Sequence, residues 1–332
     1  MSRHRKRFKI LEFVLIMTLC IACFPIIDLL LPEEEPSTEI VVPETTVTDV
    51  IIPKPIEKYP IQADKKYVGV YIENPSDIDQ FQGVPNIIGW FDTIDNPSTT
   101  KIDMCLDTHA YTAFISLEPA DMVLSEISKG VYDDRIINYL SLLSQGDRIH
   151  TELFVRFAHE MEMRPKYGQS WYSWQGYDHE SYVSAFRHVV TLGRTYAPNV
   201  KWVWSPNRAD EYTIAYYPGD EYVDYVSLTL NNTLIEYPTF QQFYEEVGSK
   251  DYLEAYGKPI IFGEIAEHCP DDIQKNNYIA SVFSYMKEYS NSIGFVFFNE
   301  DIEYLRQYKF SDDETQLNTF IQGAKEFLNN GA

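Results

Sequence analysis

Positive charge is what this sequence has least of: 27 Lys and Arg stand against 50 Asp and Glu in 332 residues, a formal net charge of −23 at pH 7. Proteins that hold nucleic acid grip its phosphates with a basic surface, so that class of partner is excluded, and polyanionic substrates are disfavoured for the same reason. An acidic surface alone does no more than keep a protein soluble. Cysteine is scarce as well. Cys20 and Cys23 fall in an apolar segment near the N-terminus, while Cys105 and Cys269 lie far apart and are read as free thiols. No CxxC or HExxH spacing is present, so no metal and no cofactor is expected. Aromatic residues, by contrast, are abundant at 15%, with 25 Tyr. Their amphipathic rings suit a neutral, hydroxylated ligand with apolar faces, such as a sugar.

The chain divides into three segments by composition. Arg3, Arg5, Lys6, Arg7 and Lys9 precede an apolar stretch from Ile10 to Leu31, interrupted only by Glu12 and Asp28. A membrane span needs about 20 residues and a signal-peptide core about 7–15. The whole stretch is long enough to span, and no A-x-A cleavage site follows it. Residues 1–31 therefore read as a basic cytoplasmic tip with an uncleaved signal anchor, and the rest of the chain as extracytoplasmic and tethered to the membrane. Secretion after cleavage is the alternative. Residues 32–66 hold Pro32, Pro36, Pro43, Pro53, Pro55 and Pro60 among Glu, Thr and Val, without helical period. Such a segment stays extended and reads as a stalk.

From Tyr67 onward the pattern becomes regular. Eight runs rich in Val, Ile, Phe and Tyr follow one another: Tyr67–Glu73, Ile87–Ile94, Tyr111–Leu117, Thr151–Ala158, Val200–Trp204, Tyr222–Leu230, Pro259–Glu264 and Ile293–Asn299. Helical spacing of apolar residues falls between them, at Asp134–Ser144, Ser181–Arg194 and Asp272–Tyr289. Strands alternating with helices predict a parallel sheet. Eight such units over residues 67–330 match a single (β/α)₈ barrel, which typically takes about 250 residues. An open doubly wound sheet is the runner-up. Such a fold usually carries a Gly-rich turn after its first strand, and Glu73-Asn74-Pro75-Ser76 is not one.

A barrel presents its site at the C-terminal ends of its strands. Those ends carry Glu73, Asp92, Glu118, Glu160, Asn207, Asn231, Glu264, Glu267, Asn299, Glu300 and Asp301. Most such acids are simply solvated, but two carboxylates across a barrel mouth are the equipment of glycoside hydrolysis. The fourth run ends in RFAHEM. After it come the loop WYSW, then VKWVWSPN, YYPGDEYVDYVSL and KPIIFGEIA, and before it ISKGVYDDRI. In that order these motifs resemble glycoside hydrolase family 26, over Tyr67 to about Asn299. The resemblance implies a retaining (β/α)₈ glycosidase with catalytic glutamates on strands four and seven. The family's best-known members are endo-β-mannanases; others act on β-1,3-xylan or mixed-linkage β-glucan. By that resemblance Glu160 is the general acid/base and Glu264 the nucleophile.

Alternation along the fourth strand sends Arg156, Ala158 and Glu160 to one side. A guanidinium there would sit beneath the site and favour the ionised form of a nearby carboxylate. His159 is expected to contact the sugar or to orient a catalytic carboxylate. Met161–Tyr177 is a long loop holding Trp171 and Trp174; one is expected to carry a sugar face and the other to anchor the loop. Trp202 and Trp204 share a parity. Trp204, nearer the strand end, is the ligand candidate, joined by Asn207 and Tyr217 as hydrogen-bonding groups. Two departures from the family pattern stand out. Met161-Glu162-Met163 replaces the usual Asn-Gly after the acid/base, and Asn231 stands where a Tyr usually bonds the nucleophile. The expected protein is a monomeric, membrane-tethered, retaining endo-β-glycanase acting on a neutral β-linked polysaccharide. β-Mannan comes first by family frequency. A β-glucanase acting on a mixed-linkage or cellulose-like polymer, and a barrel that binds polysaccharide without cutting it, are the alternatives.

Overall fold

The computed structural model describes residues 65–329 except 164–170, 177, 234–235, 248 and 303–305. The anchor and nearly all of the stalk lie outside the described residues. Among the described residues no helix is long and apolar enough to cross a membrane.

The strands are β1 (Tyr67–Tyr71), β2 (Ile87–Thr93), β3 (Thr112–Glu118), β4 (Leu153–Phe157), β5 (Val200–Trp204), β6 (Tyr225–Val226), β7 (Thr229–Asn232), β8 (Ile260–Glu267) and β9 (Ser292–Phe297). Every pairing is parallel, β1 pairs with both β2 and β9, and β6 pairs with both β5 and β8. The sheet therefore closes into a barrel of eight strand positions, the sixth being divided into β6 and β7. Both faces of these strands are buried, which is why they read as near-continuous apolar runs.

The predicted sixth strand is continuous over Tyr222–Leu230; the break has a visible cause. Ser227 Oγ accepts a hydrogen bond from the Gly263 N–H at 2.7 Å, taking the place of a ladder carbonyl. Val226 pairs with Ile260 and Thr229 with Glu264, so β8 has one residue more than its neighbour over this stretch. On the other side Phe262 pairs with Phe295 and Ile265 with Phe297, again one residue more on β8. Both edges thus locate a β-bulge at Gly263–Glu264.

Two apolar layers follow from strand parity. Inside the barrel lie Tyr67, Tyr71, Phe114, Phe154, Val203 and Val296. Between barrel and helices lie Val68, Val70, Trp90, Val155, Trp202 and Phe262, packed with Leu140, Phe186, Val189, Ile279 and Val282. The helices include α1 (Thr99–Leu106), α2 (Leu124–Ile127), α3 (Asp133–Ser144), α4 (His179–Tyr196), α5 (Phe240–Glu246), α6 (Ser249–Glu254), α7 (Asp272–Glu288) and α8 (Glu314–Asn329). α4 starts before the predicted Ser181 because the Asp178 side chain accepts from the Ser181 N–H and caps the first turn. Gly89 has a packing role: a Cβ there would lie 2.9 Å from the Tyr71 ring. Its absence lets that ring fill the barrel and bring its hydroxyl under the site.

Candidate active site

Arg156 is fully buried inside the barrel on β4. Its guanidinium donates to Ser116 Oγ at 2.8 Å, to the Tyr71 hydroxyl at 3.1 Å and to Thr229 Oγ1 at 3.2 Å. It also donates to Glu264 Oε1 in a buried ion pair. Arginine stays charged under all ordinary conditions, so a fixed cation lies against one oxygen of Glu264. The other oxygen accepts from Asn231 Nδ2 at 3.2 Å.

Glu160 reaches the same cleft by a different device. The chain leaves β4 after Phe157, and Ala158 and Glu160 both adopt left-handed backbone, φ 46° and 55°. The Glu160 N–H donates to the Ser205 carbonyl at 2.8 Å, which ties the turn to the end of β5. Ala158 packs in the outer apolar layer. The expected simple alternation therefore stops at Phe157, and the left-handed residues aim Glu160 inward. Glu160 Oε1 accepts from Asn207 Nδ2 at 3.0 Å. Burial raises the Glu160 pKa above the usual carboxylate range, and the negative charge of Glu264 adds to this.

The cleft holds about 730 Å³, and the residues lining it include Phe91, Glu118, Trp171, Tyr172, Asn207, Arg208, Asn231, Phe298, Glu300, Arg306 and Tyr308 around Glu160 and Glu264. Burial pushes Glu118 up to about 7, against the opposing effect of Arg156. Aromatic rings over a carboxylate-lined floor fit a ligand with apolar ring faces and hydroxylated edges. Among the described residues no group of His, Cys, Asp and Glu is arranged to hold a metal ion. Cys105 and Cys269 are buried and free.

The other candidates separate clearly. Trp171 is 66% exposed and lines the cleft. Trp174 anchors the loop: it is buried, stacks on Tyr172 with centroids 4.3 Å apart, and donates from Nε1 to the His159 carbonyl at 2.8 Å. His159 is itself buried, packed among Phe91, Tyr172 and Trp174, and supports the Tyr172 wall rather than lining the cleft. Burial, then Arg156, holds its pKa well below the usual histidine value, so it is neutral. Arg156 likewise lies beneath the cleft floor, where it holds Glu264 and not substrate.

Two placements are corrected. Trp204 is fully buried among outer-layer residues, its Nε1 donating to the Tyr216 carbonyl at 3.2 Å. The reason is register. Arg156 pairs with Val203, so Val203 shares the inward face and both Trp202 and Trp204 point outward. Tyr217 packs on Trp204 and Tyr256 and donates its hydroxyl to Asp220 Oδ1 at 2.8 Å, away from the cleft. Residues not singled out include Phe91, Phe298, Tyr308 and Arg208, together with Glu118 among the strand-end acids. Phe91 pairs with Ser116, and only that register reveals its inward face.

The model of Glycosyl hydrolase family 26 matches residues 72–293. Endoglucanase H of Acetivibrio thermocellus is 31% identical over 209 residues, covering 57% of this chain and 22% of that protein; the chain thus spans about a fifth of the curated relative it matches. Among solved structures, a family 26 β-mannanase from Bacteroides ovatus superposes with a TM-score of 0.57 at 15% identity, covering 80% of this chain and 90% of the other. Bacillus subtilis mannanase gives 0.53 at 15%, over 77% and 85%. A broad-specificity endoglucanase of another family, from an uncultured bovine rumen ciliate, gives 0.52 at 13%, over 80% and 97%. These structural likenesses carry the fold alone.

Proposed function

The chain belongs to glycosyl hydrolase family 26, and from that premise we propose that it is a retaining endo-β-glycanase with Glu160 as general acid/base and Glu264 as nucleophile. The observation that carries the proposal is the unequal treatment of two carboxylates in one cleft. Glu264 is gripped by the buried Arg156 cation and the Asn231 amide. Glu160 has only neutral partners, the Asn207 amide at 3.0 Å and the Thr229 hydroxyl, and burial favours its protonated form. In the first step a Glu264 oxygen attacks the anomeric carbon while Glu160 gives its proton to the departing glycosidic oxygen. In the second, Glu160 takes a proton from water, which attacks the same carbon and releases Glu264.

The substrate is a neutral β-linked polysaccharide, with β-mannan the first reading. A β-glucan is the second. It is favoured by the 31% identity to a protein named endoglucanase. A panel of β-mannan, β-glucan and β-xylan polymers, digested with the full chain and read by product size, decides between them.

The chemistry is tested with an aryl glycoside of the sugar so identified. Glu264→Ala forms no glycosyl-enzyme and is nearly inert; azide there can only attack the opposite face and give the inverted product. Glu160→Ala still expels an activated leaving group but stalls at the covalent intermediate. Azide, which needs no base, rescues it with retained configuration. Wild-type activity in both variants would sink the assignment.

A further inference from the structure

Four carboxylates line the cleft, and they differ in what surrounds them. Glu160 and Glu264 are bonded as described. Glu300 lies beside Lys101, whose positive charge offsets part of its burial. Glu118 has no such company: among the described residues neither of its side-chain oxygens takes part in a hydrogen bond or ion pair. The charges that act on it are those of Arg156, Glu264 and Glu160.

Its aim follows from register. Phe114 pairs with Phe154 and Ser116 with Arg156, so the inward column of β3 runs Phe114, Ser116, Glu118. Phe114 fills the barrel and Ser116 bonds Arg156. Glu118 is the next side chain up, at the mouth, half-buried beside the reacting pair. A carboxylate held partly out of water without a donor is costly unless something supplies one. A neutral sugar supplies hydroxyls.

We propose, resting on the glycanase reading, that Glu118 contacts substrate: it accepts hydrogen bonds from two adjacent hydroxyls of the sugar held against Glu160 and Glu264, and so selects a ring unsubstituted there. A carboxylate meets a vicinal diol with one oxygen per hydroxyl, and both bonds are charge-assisted. An O-acetylated or O-methylated ring offers no donors and leaves the charge stranded.

The test is binding, measured by calorimetry on the full chain in a Glu160→Gln background. That background slows turnover and removes the titration of Glu160. The ligands are manno-, gluco- and xylo-hexaoses with β-1,4 linkages, each also with its hydroxyls methylated. Adding Glu118→Gln should weaken binding of the free hexaose about 10- to 100-fold and leave the methylated one unchanged, with an unaltered melting temperature. Affinity of the parent should rise with pH as Glu118 ionises facing Arg156, Glu264 and Tyr172, below about 7 because the charge of Glu160 is gone; in the E118Q variant that rise should vanish. Glu118→Ala serves as the second variant. Equal affinity with and without the carboxylate, equal loss for free and methylated ligands, or a loss that tracks a fallen melting temperature overturns the proposal. So does failure of every hexaose to bind the parent. Wild type that binds a hexaose without cutting it, with binding lost in E118Q, would end the glycanase reading and leave the Glu118 contact standing.

Discussion

Arg156 organises the site at the scale of single residues, because one buried guanidinium fixes Ser116, Tyr71, Thr229 and Glu264 together. The partners of Glu160 are more modest, the Asn207 amide and the Thr229 hydroxyl, and both oppose the effect of burial by stabilising the ionised carboxylate. If Glu160 is the general acid, as proposed, it must hold its proton, so activity should fall as pH rises through its raised pKa. Asn207→Ala removes a bond to the charged form and raises that pKa further. The basic limb of kcat/KM against pH should therefore move upward, and Asn207→Asp should move it more; a limb unmoved or moved downward would show that Asn207 does not tune the acid. Motif order alone selects Glu160 and Glu264, which the structure brings into one cleft, and sets Asn231 beside Glu264; it offers Asn207 only as a hydrogen-bonding group for sugar, whereas that amide holds Glu160. Sequence alone misplaced Trp204, because parity says that two residues share a face but not which face. Only the pairing of Arg156 with Val203 turns that parity outward.

Irregular backbone presents both glutamates, and this belongs to the scale of the element. Within β8, regular alternation would carry Ile261, Gly263 and Ile265 inward and send Glu264 away. The bulge at Gly263–Glu264 reverses this: Ile261 and Ala266 face the barrel, while Phe262 and Ile265 face the helices. Bulges that re-aim a side chain are common beside active sites, and a glycine inside a strand is their sequence signal. The eight runs were legible because their strands are buried on both faces. The division of the sixth was not, because it depends on Ser227 reaching Gly263 across the ladder. Past the bulge, Asn232 Nδ2 donates to Glu267 Oε2 at 2.6 Å and locks β7 to β8. Burial pushes the Glu267 pKa to about 8, well above its unfolded value. Stability from this group is thus fully present below the ordinary carboxylate range and is lost as pH rises through about 8. Glu267→Gln cannot ionise, so the fall in melting temperature from pH 5 to pH 9 should shrink by roughly 10 °C. An unchanged fall would mean that the carboxyl titrates alike in folded and unfolded chains.

Across the whole molecule, charge is distributed by segment. The first 31 residues carry five cations and two acids, so the remainder holds −26 of a net −23. The described barrel starts at β1, and its apolar layers are built from residues between Tyr67 and Phe327. The Pro- and acid-rich residues before Tyr59 have no apolar period with which to contribute to them. Deleting residues 1–58 should accordingly leave the melting temperature nearly unchanged, and a large drop would make the stalk part of the fold. The same division gives the proposed location its test. If Ile10–Leu31 is an uncleaved anchor, tens of apolar atoms hold the chain in the bilayer, and salt does not weaken that hold. An acidic domain held only by ionic contacts at a membrane surface would instead be released once salt shortens the screening length to about 3 Å at 1 M. The full chain should stay with the membrane fraction through a 1 M salt wash and leave it only in detergent, whereas the chain lacking residues 1–58 should be soluble at once. Recovery of soluble protein whose first residue lies near positions 24–32 would show that the segment is an ordinary cleaved signal and the enzyme is secreted.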